Sequence, residues 1–192
     1  NDYLQAQMLE SLFAHSTLKE KRLLEKLAIT DPVTLLKNHR FFQDHLRVEV
    51  ERSVRHDRPV SLIMADIDQF KSYNDQFGHP AGDALLKAVS ARLLTQVRSL
   101  DTVARYGGEE FAFILPDTPF DAAMLVAERI RNAFASAPFQ PDSTLVTLSL
   151  GVASSPIHAV SADTLIEVAD KALYRAKKLG RNQSVGANAD KT

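Results

Sequence analysis

The sequence predicts an α/β fold: a single mixed central β-sheet flanked by helices, preceded by a long N-terminal helix. Three observations carry this. Short apolar runs of strand length alternate with segments whose apolar residues recur at helical spacing. A glycine pair, Gly107-Gly108, stands between two apolar runs and marks a hairpin, so at least one pair of strands is antiparallel. The first 28 residues hold neither glycine nor proline and are rich in Leu, Glu, Lys, Gln and Ala, all good helix formers.

In chain order, that opening segment predicts one helix, with Leu4, Met8 and Leu12 on one face and Leu23 and Leu27 on one face further along. His15, Ser16 and Lys19 break the seam, so a uniform heptad is not sustained. The segment reads as a dimerising or signal-relaying stalk, against the alternative of a helix packed on its own domain. Thr30-Asp31-Pro32 ends it, and the compact domain begins there. Asn38 to Asp57 predicts an amphipathic helix directing Phe41, Phe42, Leu46, Val50 and Val54 to the core. Val60 to Ile67 is a strand, Asn74 to Asp83 a polar loop, and Gly82 to Val97 a helix with Leu85, Leu86, Val89, Leu93 and Leu94 as its stripe. Thr102 to Tyr106 and Phe111 to Leu115 form the hairpin, whose turn is expected to project Glu109 outward. A helix from Pro119 to about Ala135, a strand from Thr144 to Val152, a helix from Ala162 to Lys178 and a last strand near Gln183 to Val185 complete the order. The division expected is a stalk over residues 1–29, a catalytic domain over 30–186 and a flexible tail over 187–192.

The 192 residues are 45% apolar, enough for one core of ordinary domain size. A formal net charge of −1 offers no surplus for a nucleic acid polymer, so a polyphosphate must meet locally placed Lys or Arg. The absence of cysteine excludes disulfides, thiolate catalysis and thiolate metal sites, leaving oxygen or histidine as ligands. No apolar run reaches the roughly 18 residues of a membrane span. Beginning at Asn1 rather than Met, the chain reads as a piece of a longer protein with an upstream sensory region. A cytoplasmic location is expected, whether or not the parent protein is membrane-attached.

Candidate chemistry gathers in four places. In Arg105-Tyr106-Gly107-Gly108-Glu109-Glu110-Phe111 the glycines allow close approach of a phosphate and the carboxylates offer hard oxygen ligands. The same run is also ordinary hairpin chemistry, and both readings stand on local grounds. Asp66-Ile67-Asp68 ends a buried strand, where sheets of this class place ligands, and offers side chains and a carbonyl to a cation. An isolated Asp-x-Asp is equally a turn cap followed by a solvent-facing acid. Asn74 and Asp83 can pair with the edge of guanine, a pattern adenine lacks, or can serve as an Asx turn and a helix cap. Lys177 and Arg181 flank Gly180 past a helix end and suit phosphates or terminal carbonyls.

The order of these motifs resembles the GGDEF family of diguanylate cyclases. Gly107-Gly108-Glu109-Glu110-Phe111 matches the naming motif in its GGEEF form. Further matches are Asp31-Pro32-Val33-Thr34 with Asn38 and Arg40, Asp66-Ile67-Asp68-Gln69-Phe70-Lys71 with Asn74, Phe77-Gly78-His79 with Gly82-Asp83, and Ala172-Leu173-Tyr174 with Ala176-Lys177 and Gly180-Arg181-Asn182. The resemblance spans about Asp31 to Val185. It implies a core like the palm-type domain of nucleotide cyclases and polymerases, and condensation of two GTP into cyclic di-GMP with release of two pyrophosphates by a homodimer. It also implies Mg²⁺, with Mn²⁺ as an alternative, held by Asp66, the Ile67 carbonyl and Glu109, with Glu110 beside them. By the same resemblance Glu109 is the base for the attacking hydroxyl and Lys71 stabilises transition-state charge. Gly107 and Gly108 lie against the substrate, Asn74 and Asp83 read guanine, His79 supports the nucleotide, and Lys177 and Arg181 grip the triphosphate. Arg98 and Asp101 match the family's inhibitory product site, with Arg129 as a further contact. Two departures stand out: Leu35 occupies a position where the family usually has glycine, implying a differently shaped turn, and His39 one where it usually has arginine. The rival implications are a degenerate domain acting as a nucleotide or cyclic di-GMP receptor, and a cyclase making a monocyclic product.

Overall fold

The computed structural model describes residues 28–139 and 144–188. The expected stalk therefore lies outside the described residues except for Ala28 and Ile29, which are helical, as does the end of the expected tail. The elements in order are α1 (His39–His56), β1 (Val60–Ile67), α2 (Phe70–Phe77), α3 (His79–Leu94), β2 (Thr102–Arg105), β3 (Glu110–Pro116), α4 (Phe120–Ala135), β4 (Leu148–Ser155), α5 (Ala162–Lys178) and β5 (Ser184–Gly186). They form one five-stranded sheet of order β2-β3-β1-β4-β5, antiparallel except for the β4–β5 pair.

Every residue of β1 is buried, because both faces of this central strand are covered. That is why it reads as a continuous apolar run rather than an alternating one. Ile63, Ala65 and Ile67 face a core shared with Leu85, Leu86, Val89 and Leu93 of α3 and Ala127, Ile130 and Phe134 of α4. Leu62 and Met64 face the opposite core, with Phe42, Leu46 and Val50 of α1 and Leu165, Ala169 and Leu173 of α5. On that second face α5 lies close against β4 at Gly151, where a Cβ would stand 2.8 Å from Leu173 Cα and closer still to helix backbone. The N-cap of α1 is Asn38, whose side chain accepts from the Phe41 N–H at 2.9 Å.

Three expectations need correction. The stretch read as a polar loop contains α2 through Phe77, and α3 begins at His79, so Asp83 stands inside a helix and is not its cap. Gly78, at φ +83°, supplies the break between the two helices, and Pro80 fits the first turn of α3, where its missing N–H costs nothing. β4 begins at Leu148; Thr144 instead forms an isolated bridge with Phe139. Val54 and Leu94, assigned to the core, are half exposed: Ser53 and Leu93 in the same turns take the buried face, which leaves each of these two at the edge of its helix's apolar stripe. Leu35 takes the left-handed conformation a glycine would take, at φ +60°, with its side chain exposed. The leucine bears the strain of that conformation.

Candidate active site

β1 ends between its two neighbours with Asp66 opposite Glu110 of β3 and Ser149 of β4. The Ile67 N–H donates to the Glu109 carbonyl at 3.2 Å, which carries the β1–β3 pairing one residue past Asp66 and Glu110 and sets Glu109, half-buried, beside the end of β1. Tyr106 and Gly107 donate their N–H groups to the Glu110 carbonyl at 2.8 and 3.3 Å. A Cβ at Gly107 would stand 2.7 Å from Glu110 Oε2 and push that carboxylate aside, whereas Gly108 has nothing within 4 Å of that position and leaves an open approach.

Arg105, just before the glycines, holds the turn from behind. Its Nε donates to the carbonyls of Gly107 and Gly108, both at 3.2 Å, and its Nη2 to Gly108 at 2.8 Å. Nη1 reaches both oxygens of Asp31 at 3.1 and 3.2 Å. Asp31 Oδ1 also accepts from the Thr34 N–H at 2.8 Å and the Thr34 hydroxyl at 2.7 Å. The opening turn of the domain and the glycine turn are therefore one hydrogen-bonded unit, 74 residues apart in sequence. Local sequence pattern assigns Asp31 to the entry turn but gives neither residue a role at the glycine turn. The signal was there: Asp followed three residues later by Thr is a self-bonding turn, and an arginine fork suits a carboxylate.

Electrostatics at this end are unfavourable to negative charge. Burial raises the Asp66 carboxyl; Lys177 opposes this by hydrogen bond and charge, while Asp68 adds to it. Burial and then the charge of Asp66 raise both Glu109 and Glu110. Such a cluster suits a divalent cation, which would lift the repulsion, and carboxylates with a backbone carbonyl are the hard oxygen donors Mg²⁺ takes. Among the described residues, no three His, Cys, Asp or Glu side chains converge as a ligand set. The fit is thus to Asp66 and Glu109 with the Ile67 carbonyl, while the Glu110 side chain folds over Gly107.

Basic groups lie on the other side. Lys177 Nζ is 2.7 Å from Asp66 Oδ2, and α5 ends a residue later. Gly180 at φ +120° turns the chain to Arg181, whose charge acts favourably on Asp66. Lys71 is exposed on α2. Asn74, also on α2, packs its amide against Gly82 of α3, where a Cβ would overlap Asn74 Oδ1. That oxygen is shielded from water and has no donor among the described residues. Asp83 and His79 are exposed on the first turns of α3.

Arg98 and Asp101 lie apart from this cluster, in the turn between α3 and β2. The Arg98 N–H donates to Asp101 Oδ2 at 2.8 Å, leaving the guanidinium exposed. Arg129 of α4 donates to the Gln96 carbonyl of the same turn at 2.6 Å, so all three residues belong to one patch.

Fold and site together define the class: a palm-like α/β domain with an acidic strand end facing basic side chains. Known proteins narrow class to family. The sequence profile described as "Diguanylate cyclase, GGDEF domain" matches residues 28–183. Diguanylate cyclase A of Treponema denticola is 42% identical over 172 residues, 86% of this chain and 46% of that protein. The GGDEF domain of DgcB from Caulobacter crescentus, solved in complex with c-di-GMP, superposes with a TM-score of 0.79 at 32% identity, covering 84% of this chain and 94% of that one. The active GGEEF domain of a diguanylate cyclase from Vibrio cholerae does so with a TM-score of 0.74 at 35% identity, covering 79% and 97%. The chain belongs to the GGDEF family of diguanylate cyclase domains. It spans less than half the length of the curated relatives it matches.

Proposed function

We propose that this chain is an active diguanylate cyclase that joins two GTP molecules into cyclic di-GMP, working as a homodimer, with its catalytic domain over residues 30–186 and its stalk over 1–29. The observation that carries the reading is the meeting of Asp66, Glu109 and Lys177 at the end of β1 beside an unblocked Gly108. A degenerate receptor would have no use for carboxylates held at an electrostatic cost.

Each domain holds one GTP. Asn74 and Asp83 take the guanine edge, with the Asp83 carboxylate accepting from the ring and exocyclic N–H groups, and His79 supports the nucleotide. Lys177 turns from Asp66 to the triphosphate and shares it with Arg181, while Gly107 and Gly108 let the phosphates approach backbone. The 3′-oxygen of one GTP attacks the α-phosphorus of its partner; the bond to pyrophosphate breaks, and the proton passes to the Glu109 carboxylate. Lys71 offsets charge developing on the phosphates. Asp66, the Ile67 carbonyl and Glu109, with Glu110 beside them, would hold Mg²⁺ or Mn²⁺, which when bound would supply Lewis-acid polarisation and a lowered pKa for the attacking hydroxyl. Repeating the step with roles exchanged closes the ring.

Cyclic di-GMP is also the inhibitor, gripped by Arg98 and Asp101 with Arg129 alongside. The complex of the DgcB domain with c-di-GMP supports product binding by this fold. Among the described residues no helix is long and apolar enough to cross a membrane; we place the domain in the cytoplasm, joined to an upstream sensory region.

Incubating the 192-residue chain with GTP and Mg²⁺ and resolving the products tests the reading. Cyclic di-GMP, at a specific activity rising with protein concentration, is expected. None at any concentration favours the receptor; cyclic GMP favours a monocyclic cyclase. Arg98→Ala is expected to relieve inhibition by added cyclic di-GMP, and inhibition curves superimposed on the parent's would remove that site.

A further inference from the structure

Asp68 has no part in the function proposed above, yet its carboxylate is engaged on all sides. Oδ1 accepts from the Ser149 hydroxyl at 2.6 Å, and Oδ2 from the Thr147 hydroxyl at 2.7 Å and the Asn182 N–H at 3.0 Å. Its own N–H donates to the Thr147 carbonyl at 3.0 Å. Three of about four acceptor positions of the carboxylate are thus taken by protein donors, which leaves little for a cation.

The bond to Asn182 grips the peptide directly after Arg181. That peptide lies in an unfavourable bend: Arg181 and Asn182 both stand in the left-handed region, at φ +65° and +46°. Such a bend persists only where its surroundings over-determine it. Here the Arg181 N–H donates to the Ala176 carbonyl at 3.0 Å, Arg131 Nη1 to Asn182 Oδ1 at 3.2 Å, and Gln183 Nε2 to the Ala176 carbonyl at 3.0 Å. Asp68 ties the bend itself to the adjoining ends of β1 and β4, while Gln183 just after it is tied to β4 by the Leu150 N–H at 3.0 Å.

We infer that Asp68 is a positioning residue for Arg181, fixing the 180–182 bend so that the guanidinium is aimed at the phosphate side of the site, and is not a cation ligand. The inference rests on the reading of Arg181 as a triphosphate contact. It makes two substitutions diverge. Asp68→Asn has no charge but keeps every bond: its carbonyl accepts from Thr147 and Asn182 while its amide donates to the Ser149 oxygen, which rotates its own proton away. Asp68→Ala loses them all. A residue acting through charge on a cation would suffer equally from both.

The test is calorimetric binding of a non-hydrolysable GTP analogue and of GMP to the 192-residue chain and its variants, with Mg²⁺ present. Asp68→Ala is expected to weaken the analogue roughly 10-fold while GMP stays within about 2-fold, and Asp68→Asn to stay within about 3-fold for both. Adding Asp68→Ala to Arg181→Ala is expected to cause no further loss, since one acts through the other. Asparagine as damaging as alanine, losses that multiply in the double variant, or equal weakening of both ligands would each overturn the inference. If Asp68→Ala does not fold, Thr147→Val removes one donor alone and is expected to show the same selective loss at about 3-fold; parent-like affinity there is equally fatal. Failure of the parent chain to bind the analogue would bring down the proposed function and this inference with it, an outcome distinct from variants that match a binding parent.

Discussion

Replacing Arg105 by lysine keeps a positive charge near Asp31 but removes the planar fork. The guanidinium divides its donors between a carboxylate on one side and the Gly107 and Gly108 carbonyls on the other; a single ammonium cannot serve both. Arg105 and Asp31 are each only 16% exposed, so the lost contacts are not replaced by free water. A charge-assisted hydrogen bond contributes about 1.5–3 kcal/mol, and breaking a fully buried pair costs about 3–5 kcal/mol. With partial exposure, Arg105→Met is expected to lose about 2–4 kcal/mol and Arg105→Lys, which keeps the ion pair, about 1–2 kcal/mol. Because the same carbonyls fix the turn bearing Glu109, a loss of about 1.4 kcal/mol in its placement corresponds to roughly a tenfold fall in turnover for the lysine variant. Urea unfolding at constant m-value and the rate of cyclic di-GMP formation measure the two effects. A lysine variant equal to the parent in both would refute the claim that the fork sets the turn. Acid adds a further arm. Burial alone would raise the Asp31 carboxyl, but hydrogen bonds from the Thr34 hydroxyl and N–H, then the bond and charge of Arg105, hold it below its ordinary 3.8. A carboxyl lowered on folding contributes stability above its unfolded value that is lost as pH falls through the folded one. The parent should therefore lose that stability below pH 3.8, and Arg105→Met should have less of it to lose.

Leu35→Gly is expected to stabilise the fold by about 0.5–1 kcal/mol, a rise of about 1–4 °C in Tm with turnover unchanged, since relief of the left-handed strain outweighs the added backbone freedom; a lower Tm would show that the exposed leucine packs on something. Glu109→Gln is expected to reduce turnover at least 100-fold, yet in chelator at pH 7 to unfold at a higher temperature than the parent. The sign follows from a raised group: its stabilising contribution is complete below its unfolded value, ordinarily 4.5, and is lost as pH rises through the folded one, so the parent carries that deficit at neutrality. A variant less stable than the parent in chelator would contradict this. Gly82→Ala is expected to weaken GTP binding about 10-fold and to narrow the preference over ATP, because the added methyl displaces Asn74; an unchanged preference would separate Asn74 from guanine reading.

Sheet, hairpin and flanking helices were legible because each rests on local pattern: an apolar run covered on both faces, a glycine pair between apolar strands, stripes at helical spacing. The short helix α2 escaped because Asn74, Asp75 and Gln76 are polar and Gly78 follows at once, so its only buried residue is Phe70. Within the site, acids and cations could be placed by motif, but their partnerships could not. Asp68 and Asn182 are 114 residues apart, Asp68 and Thr147 are 79, and nothing in either neighbourhood names the other. Such bonds arise only once the sheet fixes which strand ends adjoin.

Gly151 gives the position of Lys177 a source on the far side of the sheet from α3 and α4. With no side chain between β4 and α5, the helix lies flush at Leu173, one turn before Lys177. The reach from that lysine to Asp66 is gauged by an absent methyl group. A substitution at Gly151 is expected to lift the helix at Leu173 and to move the backbone of Lys177 with it. A residue with no charge and no view of the substrate thereby acts as the spacer that calibrates the site.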